Sequence, residues 1–164
     1  MSTTTPSIEI QYLADCPELI PLLATWFYTE WGTLSVEQFE RRLHERLNRD
    51  HLPLVFVSFR DGQPFASASL KIQEMDIRPR YLHWLGSVYV RPEDRNQGIG
   101  SFLIEHTARE AQRLGVEDLY LYSTYRERLY FRLGWNVIER VDYDGHPVVI
   151  MKRALKRIQP SRSN

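Results

Sequence analysis

The 164 residues predict a mixed α/β (α+β) fold: one domain with a central, twisted, mixed β-sheet of about seven strands, flanked by about four helices. Three features point there. Two turn dipeptides, Asp61-Gly62 and Asp144-Gly145, each lie between apolar runs and mark β-hairpins. Between them, a strand, a helical stretch closed by Gly115 and a second strand make a β-α-β unit, whose strands run parallel. Antiparallel hairpins on both sides of a parallel unit give a mixed sheet with helices on its faces.

The elements follow in the order β-α-α-β-β-β-α-β-α-β-β. Ile8, Ile10 and Tyr12 alternate with Glu9 and Gln11, the pattern of a strand with one buried face. Asp15 and Glu18 stand at capping-box spacing with Pro17 in the first turn, and predict a helix through Ile20, Leu23 and Phe27. Ser35 caps a second helix in which Val36, Phe39, Leu43 and Leu47 recur at three- and four-residue spacing. Pro53 to Phe59 and Pro64 to Ile72 are the arms of the first hairpin, and a third strand runs from Tyr81 to Val90. A polar loop over 91–97 leads to a helix from Gly98 to Leu114. Leu119 to Tyr122 is the next strand, and Thr124 to Leu133 a short helix ended by Gly134. Trp135 to Val141 and Pro147 to Met151 form the closing hairpin. No repeat or long linker interrupts the chain, so 1-153 reads as one domain and 154-164 as a basic polar tail.

Composition narrows the function classes. Lysine plus arginine number 21 and aspartate plus glutamate 21, giving a formal charge of zero. Five of the basic residues lie from Lys152 onward, where no acidic residue stands, which leaves a body of net −5. A negative body argues against nucleic acid as the partner, since phosphate neutralisation needs a basic face. The tail reads as a solvated end. The single cysteine, Cys16, excludes an internal disulfide and a cysteine-rich zinc site, so no metal is expected. No apolar run reaches the roughly 18 residues of a membrane span, and Met1 to Pro6 lacks the pattern of a signal peptide. A cytoplasmic protein with no membrane partner is the expectation.

The segment richest in chemical information is Val88-Tyr-Val-Arg-Pro-Glu-Asp-Arg95-Asn-Gln-Gly98-Ile-Gly100. An apolar strand enters a polar loop, and two glycines open a helix whose first N–H groups have no internal partners. With the helix dipole, that is an anion site suited to a diphosphate. A dinucleotide fingerprint would need a third glycine where Leu103 stands. A P-loop would need Gly-Lys-Ser/Thr, and no lysine lies between Lys71 and Lys152. A tight turn with no ligand is the plain structural alternative.

Arg95-Asn-Gln-Gly-Ile-Gly100 resembles the Arg/Gln-x-x-Gly-x-Gly/Ala signature of the GNAT superfamily of N-acetyltransferases. Leu129-Tyr130-Phe-Arg-Leu-Gly134-Trp135 is similar to that family's Phe-Tyr-x-x-x-Gly-Phe segment, and the element order agrees with its fold. The resemblance implies a GNAT-like domain with acetyl-CoA as co-substrate, bound where two parallel neighbouring strands splay. The backbone of Val88, Tyr89 and Val90 would then pair with the pantetheine amides. The N–H groups of Asn96, Gln97, Gly98, Ile99, Gly100 and Ser101 would surround the diphosphate, and Arg95 would add a charge-assisted contact. Tyr130 matches the tyrosine that protonates the departing thiolate. Ser123 stands where the family often has an asparagine facing pantetheine, with Thr124 beside it.

The implied activity is acetyl transfer to a primary amine of a small molecule or peptide, by direct attack in a ternary complex. The alternative is a non-catalytic coenzyme A-binding or protein-interaction domain that keeps the fold. The amine must lose a proton, and Glu74, Asp76, His83 or water are the candidate acceptors. Cys16, at the start of the first helix, is distant in sequence from both motifs and unsuited to carrying the acyl group. Trp26, Phe27, Tyr28, Glu30, Trp31 and Trp84 suggest an aromatic and acidic acceptor pocket, with Trp26 and Phe27 read as core. A monomer or a homodimer fits the sequence equally well.

Overall fold

In the computed structural model, residues 7–156 are described. Met1 to Pro6 and the tail from 157 onward, for which the sequence sets expectations, lie outside them. Seven strands form one sheet in the order β1-β2-β3-β4-β5-β7-β6. The strands are β1 (Ile8–Tyr12), β2 (Leu54–Arg60), β3 (Gln63–Lys71), β4 (Trp84–Val90), β5 (Asp118–Ser123), β6 (Asn136–Tyr143) and β7 (His146–Ala154). The helices are α1 (Ile20–Trp31), α2 (Val36–His44), α3 (Ile99–Arg113) and α4 (Glu127–Arg132). The element order is the one the sequence predicts. Only β4 and β5 are parallel; every other pair is antiparallel.

Alternation along the strands sorts the core onto two faces. Leu54, Phe56, Leu85, Leu119, Leu121 and Met151 pack with Leu103, Ile104, Ala108 and Ala111 of α3 and with Tyr130 of α4. On the opposite face, Val55, Val57 and Tyr89 meet Leu23, Phe27 and Leu43 of α1 and α2. Trp84, Met75, Val148 and Ile150 continue that face beyond the helices. Complete burial of a side chain such as Trp84, Trp135 or Phe56 contributes about 2–3 kcal/mol each.

The predicted turn chemistry is present. Asp61 and Gly62 have φ of 49° and 81°, and Asp144 and Gly145 have 49° and 80°, the paired left-handed residues of a hairpin turn. Ser35 and Gln38 form a reciprocal capping box at the start of α2.

Three element starts differ from expectation by more than one residue, and α2 ends at His44, short of Leu47. Asp15 does not cap α1: Pro17 and Pro21 break the approach into two 3-10 turns, Leu13–Asp15 and Pro17–Leu19, and the helix proper starts at Ile20. Asp15 pairs with Arg49 instead. The third strand starts at Trp84, not Tyr81, because His83 has a φ of 74°, which turns the chain before the ladder begins. The fourth helix shortens to Glu127–Arg132, since Ser123 Oγ accepts from the Arg126 N–H and holds the preceding residues in a turn.

Candidate functional site

The site begins where β4 and β5 part. They share one ladder position, Trp84 opposite Tyr120, supported by the Tyr120 N–H donating to the His83 carbonyl at 3.0 Å. Beyond it the strands diverge, so β4 from Gly86 to Val90 is paired with β3 alone and its other edge faces a cleft. An irregularity in the β3–β4 register falls here. Gly86 lies opposite Ser69, Tyr89 lies opposite Ser67, and Ser87 takes a φ of 49°. This is a β-bulge, which re-aims the main chain at the point of divergence. Along the cleft, Val88 and Val90 turn to the α3 side of the sheet and Tyr89 to the α1 side.

The strand then enters the loop that the glycines marked. Asn96 and Gly98 have φ of 63° and 78°, so two left-handed residues within three positions swing the chain into α3. A Cβ placed on Gly98 would meet nothing within 4 Å, and on Gly100 only Val90 Cγ2 at 4.0 Å. Space is open above both glycines, while conformation alone restricts Gly98. No side chain caps α3, and its first internal bond runs from the Phe102 N–H to the Gly98 carbonyl at 3.1 Å. The N–H groups of Ile99, Gly100 and Ser101 are therefore free for an anion.

A carboxylate that the sequence reading passed over fixes this loop. Asp94 is 5 % exposed and accepts from Arg60 of β2 at 2.9 Å and from Arg91 at 2.8 Å. Arg60 also donates to Gln97 at 3.2 Å. Arg95 is committed inward: its Nε donates to the Val90 carbonyl at 2.8 Å, its Nη2 meets Glu30 at 3.0 Å, and it lies over the Tyr89 ring. Arg95 thus ties the loop to α1 through Glu30 and to the end of β4 through the Val90 carbonyl.

On the other wall of the cleft, Ser123 ends β5 with its hydroxyl in the turn described above. Tyr130 is 8 % exposed, with its ring set edge-on to Trp135 at 6.2 Å. The spacing from Tyr130 to Trp135 has a physical reason. Gly134, at φ 94°, closes α4 so that the Trp135 N–H reaches back to the Tyr130 carbonyl at 3.0 Å, folding the indole beneath the phenol. Burial raises the Tyr130 phenol above its ordinary value, with Arg126 opposing, so it stays a proton donor at neutral pH. An open concavity of about 1010 Å³ adjoins this wall, lined by residues 124–129, 140–142 and 147–149.

A family model, the acetyltransferase (GNAT) family, matches residues 16–135, nearly three-quarters of the chain. The chain belongs to the GNAT family. Its structural likenesses agree with the family's fold. An aminoglycoside 6'-N-acetyltransferase complexed with coenzyme A is similar over 92% of this chain and 99% of its own, with 14% identity and a TM-score of 0.73. An acyl-CoA N-acyltransferase from Pseudomonas aeruginosa is 25% identical over 92% of this chain and 100% of its own, at a TM-score of 0.63. The Salmonella typhimurium protein yncA, solved with its cofactor acetyl-CoA, is 20% identical over 98% of this chain and 100% of its own, at 0.66. A search of the curated proteins found no significant match.

As a GNAT acetyltransferase, the protein brings most of the predicted residues to one cleft: Val88 to Val90 on its β4 edge, Asn96 to Ser101 at the α3 end, and Ser123 and Tyr130 on the β5–α4 wall. The three proton-acceptor candidates separate. Asp76 is exposed, and His83 sits at the turn into β4 with its backbone bonded to Ile72 and Tyr120. Glu74 lies against β4 itself, where its Oε2 would stand 2.6 Å from a Cβ on Gly86, and it is paired with Lys71 at 2.8 Å. Cys16 is 5 % exposed, and burial with Glu18 and Asp15 pushes its thiol up to about 11, which disqualifies it as an acyl carrier. Trp84 is core, its indole N–H donating to the Tyr81 carbonyl at 2.6 Å. Trp31 is 41 % exposed and meets Tyr89 edge-on at 6.3 Å. Among the described residues no helix is long and apolar enough to cross a membrane, and no group of three metal-ligating side chains occurs.

Proposed function

We propose that the protein transfers the acetyl group of acetyl-CoA to a primary amine of a small molecule or peptide by direct attack within a ternary complex. The observation that carries this reading is the unpaired edge of β4 running into an uncapped α3 N-terminus. Free main-chain groups can pair with the pantetheine arm as an added strand would, and the helix end can take the diphosphate. The cofactor's acyl end would then lie at the bulge, beside Gly86.

In the chemical step the amine's lone pair forms the new C–N bond at the thioester carbonyl and the C–S bond breaks. A main-chain N–H of β4 near the bulge, such as that of Val88, would stabilise the oxyanion. Tyr130 supplies the proton to the departing thiolate. Glu74, the one candidate acceptor beside the bulge, takes the amine proton directly or through water. Holding both reactants in one cleft supplies the effective concentration that a bimolecular aminolysis lacks.

Thermal melting tests the reading. Acetyl-CoA at a hundred times its Kd should stabilise the fold by about 2.7 kcal/mol, a shift of several degrees. Thiol release should follow when an accepted amine is added. A melting temperature unmoved by saturating acetyl-CoA overturns the proposal; a shift with no thiol release against any amine returns the reading to a coenzyme A-binding domain without catalysis.

A further inference from the structure

A cluster of charge lies on the α1–α2 face of the sheet, where the cleft meets the bulge. Lys71 ends β3 with a side chain 12 % exposed, and its Nζ stands 2.8 Å from Glu74 Oε2, itself on a side chain 17 % exposed. The pair lies flat over Gly86: a Cβ there would stand 2.6 Å from Glu74 Oε2 and 3.1 Å from Lys71 Nζ. Only glycine leaves room for an ion pair on the backbone at that residue. Arg46, just past α2, is half-buried, and its charge acts on Glu74 and Lys71. Among the described residues, no hydrogen bond or ion pair reaches the Arg46 guanidinium. Ser69, opposite Gly86 on β3, is fully buried with its hydroxyl unpartnered.

The charges there do not balance. Lys71, Arg46 and the exposed Arg42 stand against the carboxylates of Glu74 and the exposed Glu45. Burial costs the unmatched cation its hydration, a penalty that an incoming anion would relieve. The aromatic residues Tyr122 and Tyr143 border the same carboxylate from β5 and β6. Glu30 and the aromatic residues around it suggest an acidic acceptor pocket from the sequence, whereas the residues gathered at the bulge leave a cation to spare.

We propose that the acceptor is an amine that also carries a carboxylate, an amino acid or a near analogue. Arg46 and Lys71 hold the carboxylate, and Glu74 receives the amine. The acceptor's carboxylate gives Arg46 the partner it lacks, and once the amine has passed its proton on to solvent, two cations meet two carboxylates. The inference rests on the acetyl transfer proposed above and adds the acceptor's class.

Matched pairs test it: phenylalanine against 2-phenylethylamine, and leucine against 3-methylbutylamine, each followed by thiol release and by calorimetric binding to the coenzyme A-loaded full-length protein. The carboxylate member of at least one pair should bind tighter and show a kcat/KM at least tenfold higher. R46A should bring that ratio to about one, and R46K should restore part of it. Gly86→Ala pushes only the flexible ends of Lys71 and Glu74, so it should lower the ratio with little change in melting temperature. Equal or better use of the decarboxylated amines, or binding of neither amino acid, overturns the acceptor class and leaves acetyl transfer standing. R46A lowering both members equally overturns it too. Failure of acetyl-CoA itself to bind removes both readings, and melting separates that case from the others.

Discussion

The two ends of the cleft are built from different materials. At the α3 end the groups offered to a ligand are main-chain N–H groups, and side chains serve mainly to hold the loop: Asp94 between Arg60 and Arg91, Arg95 on Glu30 and the Val90 carbonyl. At the bulge the groups offered are side chains, Lys71, Glu74, Arg46 and Ser69, drawn from β3, the loop after it and the residue beyond α2. A main-chain site is indifferent to most substitutions and recognises what every reaction of this class shares. A side-chain site is sensitive to each residue and recognises what distinguishes one acceptor from another.

Substitutions at three positions probe that contrast. The largest effect is expected at Gly98. Glutamate there would place a carboxylate in the phosphate's space at a φ of 78° and should weaken acetyl-CoA by about a thousandfold, read by calorimetry. Asparagine, which tolerates this conformation, should cost less than tenfold. If both variants fail equally, strain rather than charge governs the position and the helix end is not the phosphate site.

Tyr130→Phe should lower kcat by about a hundredfold while leaving acetyl-CoA affinity within a few-fold, the signature of a group needed only as the thiolate leaves. Unchanged turnover would reduce the phenol to a packing partner of Trp135. The smallest effect is expected at Asp94. Alanine should destabilise the fold by about 2 kcal/mol, measured by denaturant, because Arg60 and Arg91 lose a buried carboxylate. Acetyl-CoA should weaken roughly tenfold as the loop loosens. A loss as large as that of Gly98→Glu would mean that side chains carry the anion site after all, and the contrast between the two ends would fail.

The same contrast decides what the sequence could reveal. A main-chain site leaves a local trace, because left-handed positions favour glycine and a helix start that a ligand can approach favours small residues. Gly98, Gly100 and Gly134 were therefore legible, as were the hairpin turns at Asp61-Gly62 and Asp144-Gly145. Side-chain sites are assembled by register. Nothing near Lys71 says that Gly86 will stand beneath it or that the charge of Arg46 will act on the same carboxylate; that follows from how β3 pairs with β4 and where α2 ends. Asp94 was missed for a related reason, since one partner, Arg60, is 34 residues away on another strand. Its other partner, Arg91, stands three residues before it, and an Arg-x-x-Asp pair in a loop is a signal a reader could have weighed. The helix starts misread at Asp15 and Thr124 failed where prolines and a serine hydroxyl outbid a generic propensity.

The single ladder position between β4 and β5 bears on the mechanics of the whole sheet. Strands β1 to β4 form one stiff raft of directional bonds, and β5 to β7 form another. At the seam the two rafts are held by one strand pairing and by greasy side chains that resist separation but not small sliding. A thread of amide groups laid along the seam would act as a cross-brace, completing the missing rungs. The empty protein should accordingly be softest along that line, and amide exchange there should slow more than anywhere else once the gap is filled.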